Sequence, residues 1–107
     1  MTYPIIVVPF LNADGMALFP FILIKDKSGI NDSILLNHEK IHLRQQLELL
    51  VIPFYLLYVL IYLLNRLKYE DHYLAYRGII FEKEAYRFEK DLNYLRKRRF
   101  WAWRYAF

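Results

Sequence analysis

The sequence predicts a small α+β domain, and three observations carry that expectation. Short β-branched runs open the chain, longer stretches with apolar residues at helical spacing fill the rest, and turn-forming clusters separate them. The 107 residues contain no linker-like stretch and no internal repeat, so residues 1–107 read as one domain with a short β-region and about three helices.

Pro4 to Phe10 is a β-branched run bounded by prolines and reads as the first strand. Asn12 to Gly15 is a turn signal. Leu18 to Lys25 reads as a second strand, and Pro20 within it points to an edge position, because proline has no N–H for the ladder. After a turn at Asp26 to Gly29, Asn31, Asp32 and Ser33 are three candidate N-caps for a helix starting near Ser33. Leu36, Leu43, Leu47 and Leu50 share one face of that helix, and Pro53 is expected to end or kink it near residue 52.

Leu49 to Leu64 holds 16 residues without a charge and carries Tyr55, Tyr58 and Tyr62 on one face. As a helix it would be about 24 Å long, against a hydrocarbon core of about 30 Å, so it reads as a buried or membrane-surface helix in preference to a span. The polar, aromatic residues from Asn65 to Arg77 read as loop. Phe81, Ala85, Phe88, Leu92 and Leu95 mark an amphipathic helix from about Ile80 to Arg96. The aromatic, basic tail follows.

Composition narrows the chemistry. The chain is too apolar, and with 3 Gly and 4 Pro too poor in breakers, for a disordered protein. It has no cysteine, which excludes disulfides and thiolate-bound zinc, so a metal would have to sit on histidine and carboxylate. The missing cysteines fit a reducing compartment, and the N-terminal apolar run lacks the basic flank of a secretory signal. Together these suggest a cytoplasmic protein, at the inner face of the membrane if its apolar segments meet lipid. Residues 66–107 carry 11 basic and 6 acidic side chains and hold the whole basic surplus, including Arg96 to Arg99. The leading reading of that run is a helix end followed by a packed tail; an anionic lipid surface comes second and nucleic acid is disfavoured.

His38-Glu39-Lys40-Ile41-His42 is the H-E-x-x-H pattern. On a helix, residues i and i+4 stack one turn apart, so both imidazoles can reach one Zn²⁺. Glu39 lies about 100° round the helix from His38, placed to reach a water at the open coordination position without binding the metal. It is the expected general base for hydrolysis. A third protein ligand is needed. Glu48 lies too far along the same helix, and His72 falls in the expected loop beside Glu70 and Asp71. Glu82 and Glu84 begin the last helix, on the flanks of its apolar stripe, where packing would bring one of them to the metal.

The region from Leu18 to Gln46 resembles the zinc-site region of gluzincin peptidases: an apolar strand, a short turn, Ile34-Leu-Leu-Asn-His-Glu-Lys-Ile-His42, then Arg44. It is most similar to the cores of membrane metallopeptidases of the HtpX, CAAX prenyl protease and BlaR types, and in size to the soluble "minigluzincins". In those families the third ligand is the first Glu of E-x-x-(small)-Asp. Glu82-Lys83-Glu84-Ala85 matches the first four positions, so the resemblance selects Glu82 over Glu84. Tyr86 stands where that pattern has an Asp that orients a zinc-bound histidine, and its hydroxyl is the expected weaker substitute. The resemblance implies a zinc-dependent endopeptidase with a peptide or protein substrate that could pair along the strand region 18–25. The alternative is a zinc-stabilised, catalytically weak or latent module that binds a membrane or a protein partner. Tyr73, Tyr76, Arg77 and Tyr86 are oxyanion donors by type, with none singled out.

Overall fold

The computed structural model describes residues 3–105. Three strands come first: β1 (Ile5–Val7), β2 (Gly15–Leu18) and β3 (Phe21–Ile24). A 3₁₀ turn (Lys27–Asn31) leads into helices α1 (Ser33–Glu48), α2 (Ile52–Lys68), α3 (His72–Arg77), α4 (Ile80–Phe88) and α5 (Tyr94–Lys97), and a second 3₁₀ turn (Ala102–Tyr105) follows. The expected α+β class holds.

The sheet has the order β1-β3-β2. β1 runs parallel to β3 with Ile5 opposite Ile22, and β2 runs antiparallel to it with Gly15 opposite Ile24. The strand expected from Leu18 to Lys25 is therefore a hairpin corner followed by the central strand. Pro20 sits in the corner, after a cis Phe19–Pro20 bond, where its missing N–H breaks no ladder. Ile22 and Ile24 of β3 are fully buried, and β1 and β2 form the two edges.

α1 starts where the caps predict: the Asp32 carboxylate accepts the Leu35 N–H at 3.0 Å. Its buried side is not the leucine stripe. Leu43 is buried, but Leu47 and Leu50 are exposed, and Asn37, His38, Glu39, His42, Gln45 and Gln46 are buried instead. Buried polar groups need partners. Gln46 finds them in the hairpin, accepting the Phe19 N–H at 2.9 Å and donating to the Ala17 carbonyl at 2.8 Å. This amide fixes the edge strand β2 against α1.

α1 ends at Glu48, and the chain turns through 112° before α2. Leu50 and Val51 have φ of 61° and 63°, and the Ile52 N–H bonds the Leu50 carbonyl at 2.8 Å, a strained γ-turn centred on Val51. Pro53 then lies in the first turn of α2, where no N–H is needed. Asn65 to Arg77 is mostly helical rather than loop: α2 runs on to Lys68, and α3 starts with the Asp71 carboxylate accepting the Tyr73 N–H at 2.9 Å. No single helix among the described residues is long and apolar enough to cross a membrane.

The expected helix from Ile80 to Arg96 is broken after Phe88. The Asn37 amide donates to the carbonyls of Glu89 at 2.8 Å and Asp91 at 3.0 Å, drawing the chain out of helical register. Leu92, expected on the apolar stripe, is exposed in the resulting turn. The tail folds back in part, with Phe100 and Tyr105 left exposed. Trp103 packs against Phe81, and the Arg98 side chain is 1% exposed, paired with Glu48 and Glu84.

Candidate metal centre

α1 and α4 pack together so that His38, His42 and Glu82, all buried, point at one spot. The two imidazole Nε2 atoms are 3.2 Å apart, and Glu82 Oε1 lies 3.2 Å from one and 3.0 Å from the other. Tetrahedral ligands at ~2.0–2.1 Å from zinc would be roughly 3.3 Å apart, so the spacing fits a small cation held by three protein ligands. Two imidazoles and a carboxylate form a donor set that such an ion accepts, and these three residues could hold it. Glu84, the alternative third ligand, faces away: its carboxylate accepts from Gln45 Nε2 at 2.9 Å, from the Tyr94 hydroxyl at 2.6 Å and from Arg98.

Each ring is fixed from behind, which sets the tautomer that leaves Nε2 free for the metal. His38 Nδ1 donates to Glu89 Oε1 at 2.8 Å, and His42 Nδ1 donates to Gln45 Oε1 at 2.8 Å. Gln45 cannot turn its amide, because Nε2 is held by the Phe81 carbonyl at 3.0 Å and by Glu84. The expectation that the Tyr86 hydroxyl would orient a histidine is not met. The Tyr86 ring stands edge-on to His38 at 4.6 Å, and its hydroxyl bonds Tyr76 at 2.9 Å. The orienting carboxylate is Glu89, three residues later, placed there by the break that Asn37 makes in the helix.

Glu82 is itself clamped. The Tyr58 hydroxyl donates to Oε2 at 2.7 Å and the Tyr76 hydroxyl to Oε1 at 3.2 Å. Neither tyrosine was singled out from the sequence, although the stripe Tyr55, Tyr58, Tyr62 on an otherwise aliphatic helix was a usable signal: Tyr55 bonds Gln46 at 3.1 Å and Tyr62 bonds His72. His72 is exposed and away from the centre.

The charges are coupled. Burial alone would lower the His42 pKa, but the charge and hydrogen bond of Glu82 outweigh it and raise it to about 9. Burial likewise works against the Glu82 carboxylate, yet the His42 and His38 rings hold it well below the usual carboxylate range. Without metal these charges favour a protonated His42 beside an ionised Glu82. Glu39 behaves differently: burial raises its pKa, and the His42 and His38 charges only partly offset this.

Glu39 borders a cleft of about 250 Å³ whose walls include Gly15, Leu35, His38, Tyr76 and Tyr86. β2 comes so close here that a Cβ on Gly15 would stand 3.1 Å from Glu39 Oε2 and 3.0 Å from Leu35. Glycine at this position keeps room for the carboxylate. Comparison with known protein families, with curated proteins and with solved structures finds no match for this chain.

Proposed function

We propose that this chain is a zinc-dependent peptidase in which His38, His42 and Glu82 hold the metal and Glu39 is the general base. The observation that carries the reading is Glu39 itself. It is a buried carboxylate with no protein hydrogen bond among the described residues, one residue after a metal-facing histidine and open to a cleft. A purely structural metal site needs no such group. When bound, zinc supplies a Lewis acid that brings the pKa of a coordinated water down to about 7.

The residues then divide the work. Glu39, with its affinity for protons raised by burial, takes one proton from the attacking water as the oxygen adds to the substrate carbonyl carbon. It passes that proton to the amide nitrogen as the C–N bond breaks, and so ends unprotonated. The Tyr76 and Tyr86 hydroxyls line the same cleft; Tyr76 already donates to Glu82, so Tyr86, by turning its proton away from the Tyr76 oxygen, is the donor that could serve the oxyanion. The Arg77 guanidinium packs 3.7 Å over the Tyr86 ring, a cation–π contact on that wall of the cleft. An extended peptide would pair with the outer edge of β2 at Gly15, rather than along residues 18–25 as a unit, because β3 already has a neighbour on each side and Gln46 takes the Ala17 carbonyl.

Glu39→Gln tests the assignment. The variant keeps side-chain size and should retain metal and fold while losing hydrolysis by about 10²–10⁴-fold. A Glu39→Gln variant that cleaves as fast as wild type refutes the assigned base. A zinc-loaded wild type silent on a broad peptide library, also after terminal truncation to exclude a covered cleft, favours the zinc-stabilised binding module.

A further inference from the structure

The outward face of α2 has no role in the metal centre. Ile52, Leu56, Leu60, Leu63 and Leu67 recur at steps of four and three along it, and their exposures run from 52% to 86%. Val59 and Leu64, also more than half exposed, widen the stripe. The inward face carries Phe54, Tyr55, Tyr58, Ile61 and Tyr62, packed on the body of the protein. A helix apolar on all sides is normally buried on all sides, and a monomer rarely leaves so long an aliphatic stripe in water.

The charges around the stripe identify what covers it. Ile52–Lys68 contains no acidic residue, and its only charges are Arg66 and Lys68 near the C-terminal end; the next carboxylates, Glu70 and Asp71, lie beyond the helix, in the turn that leads into α3. On a helical wheel these two fall on opposite borders of the stripe, where long side chains can run along apolar surface and hold their cations in the headgroup layer. We propose that α2 docks the protein on an anionic lipid bilayer, lying in the plane of the interface with its leucine face in the acyl region. Seventeen residues make a helix of about 25 Å, too short to cross and suited to lying flat. A second copy of the chain fits less well. Antiparallel pairing of two α2 helices would set Arg66 and Lys68 against the uncharged first turns of the second helix, with no carboxylate to receive them. The tyrosines, which would give a protein interface its anchors, all point inward. The docking is independent of the chemistry at the metal centre.

Vesicle flotation with the full chain tests this, using phosphatidylcholine vesicles with and without phosphatidylglycerol. Wild type should float with the anionic vesicles at low salt and be released as salt rises. Leu56→Gln/Leu63→Gln/Leu67→Gln should bind at least tenfold more weakly, and Arg66→Glu/Lys68→Glu should lose the preference for phosphatidylglycerol. A fold check by circular dichroism accompanies each. Because the chain has no cysteine, Leu63→Cys carrying an environment-sensitive dye gives a second reading: its emission should shift to the blue on vesicles. Wild type that ignores anionic vesicles at low salt, a triple variant that binds like wild type, or a dye-labelled Leu63→Cys variant whose emission does not move would each overturn the proposal. So would a lipid-free dimer in sedimentation velocity that the triple variant abolishes while vesicles capture neither protein; that result assigns the face to a second copy.

Discussion

Glu89 reaches the far nitrogen of His38 from outside the helix that carries Glu82, and its carboxylate is the one that sets the ring's tautomer. Glu89→Ala should weaken metal binding by about 10–100-fold, the usual loss when the partner behind a ligating histidine is removed, whereas Tyr86→Phe should leave affinity nearly unchanged. Competition against a chromophoric chelator reads both, and the reverse order would restore Tyr86 as the orienting group. His42 supplies a pH signature. Its folded pKa of about 9 lies above the ordinary 6.5, so the protonated ring stabilises the metal-free fold. That stability is fully present below the ordinary pKa and is lost as pH rises towards 9. Metal must displace the same proton, so affinity should climb through the same window by up to about tenfold per pH unit. Melts in chelator and metal titrations at pH 6.5 to 9 should therefore run in opposite directions. The two histidines and Glu39 were legible because an i, i+4 pair has local geometry, whereas the residues alone left Glu82 and Glu84 open and the choice of Glu82 came from the resemblance. Glu89 and Tyr76 were not legible, and of Tyr58 only its place in the stripe was visible, because their partners depend on how distant elements pack.

α1 explains most of what the sequence pattern could not show at the level of elements. Hydrophobic periodicity identifies it as a helix but misjudges which side is buried, since Asn37, Gln45 and Gln46 are satisfied by partners far along the chain. The break after Phe88 follows from one of these, an amide 52 residues before Glu89, and no local rule in the Ile80 to Arg96 stretch announces it. Pro20 misled for a related reason: proline excludes a central strand, and a hairpin corner satisfies that exclusion as well as an edge does. The caps at Asp32 and Asp71 are local and were readable in principle, though only the first stood beside a clear apolar repeat. The α1–α2 corner gives a test at this scale. Leu50 is 78% exposed yet held at φ 61°, where a Cβ is strained. Leu50→Gly should remove that strain with little loss of packing and stabilise the protein by about 1 kcal/mol. A denaturant midpoint that stays put or falls would show that the corner is relaxed.

Across the whole molecule, the C-terminal segment is tied to the metal centre by a continuous run of buried polar contacts. Arg98 binds Glu48 through both terminal nitrogens, at 2.6 and 3.0 Å, and also binds Glu84; Glu84 holds Gln45, and Gln45 holds His42. The Trp101 N–H adds a bond to Glu48 at 2.7 Å. The basic run in the tail thus contributes one cation to the interior, where two carboxylates require it. Deleting that cation strands both. Arg98→Ala should destabilise the metal-free fold by about 3–5 kcal/mol, the scale for breaking a buried ion pair from one side. Metal affinity should fall as well at a temperature where the variant is still folded, because Glu84 no longer anchors the amide that orients His42. Arg98→Lys restores charge but cannot serve Glu48 and Glu84 through three nitrogens at once, so it should recover part of the stability and less of the affinity. Chelator competition and thermal melts on the two variants separate the effects. If Arg98→Ala lowers the melting point and leaves metal affinity at the wild-type value, the network stabilises the fold without positioning the ligand.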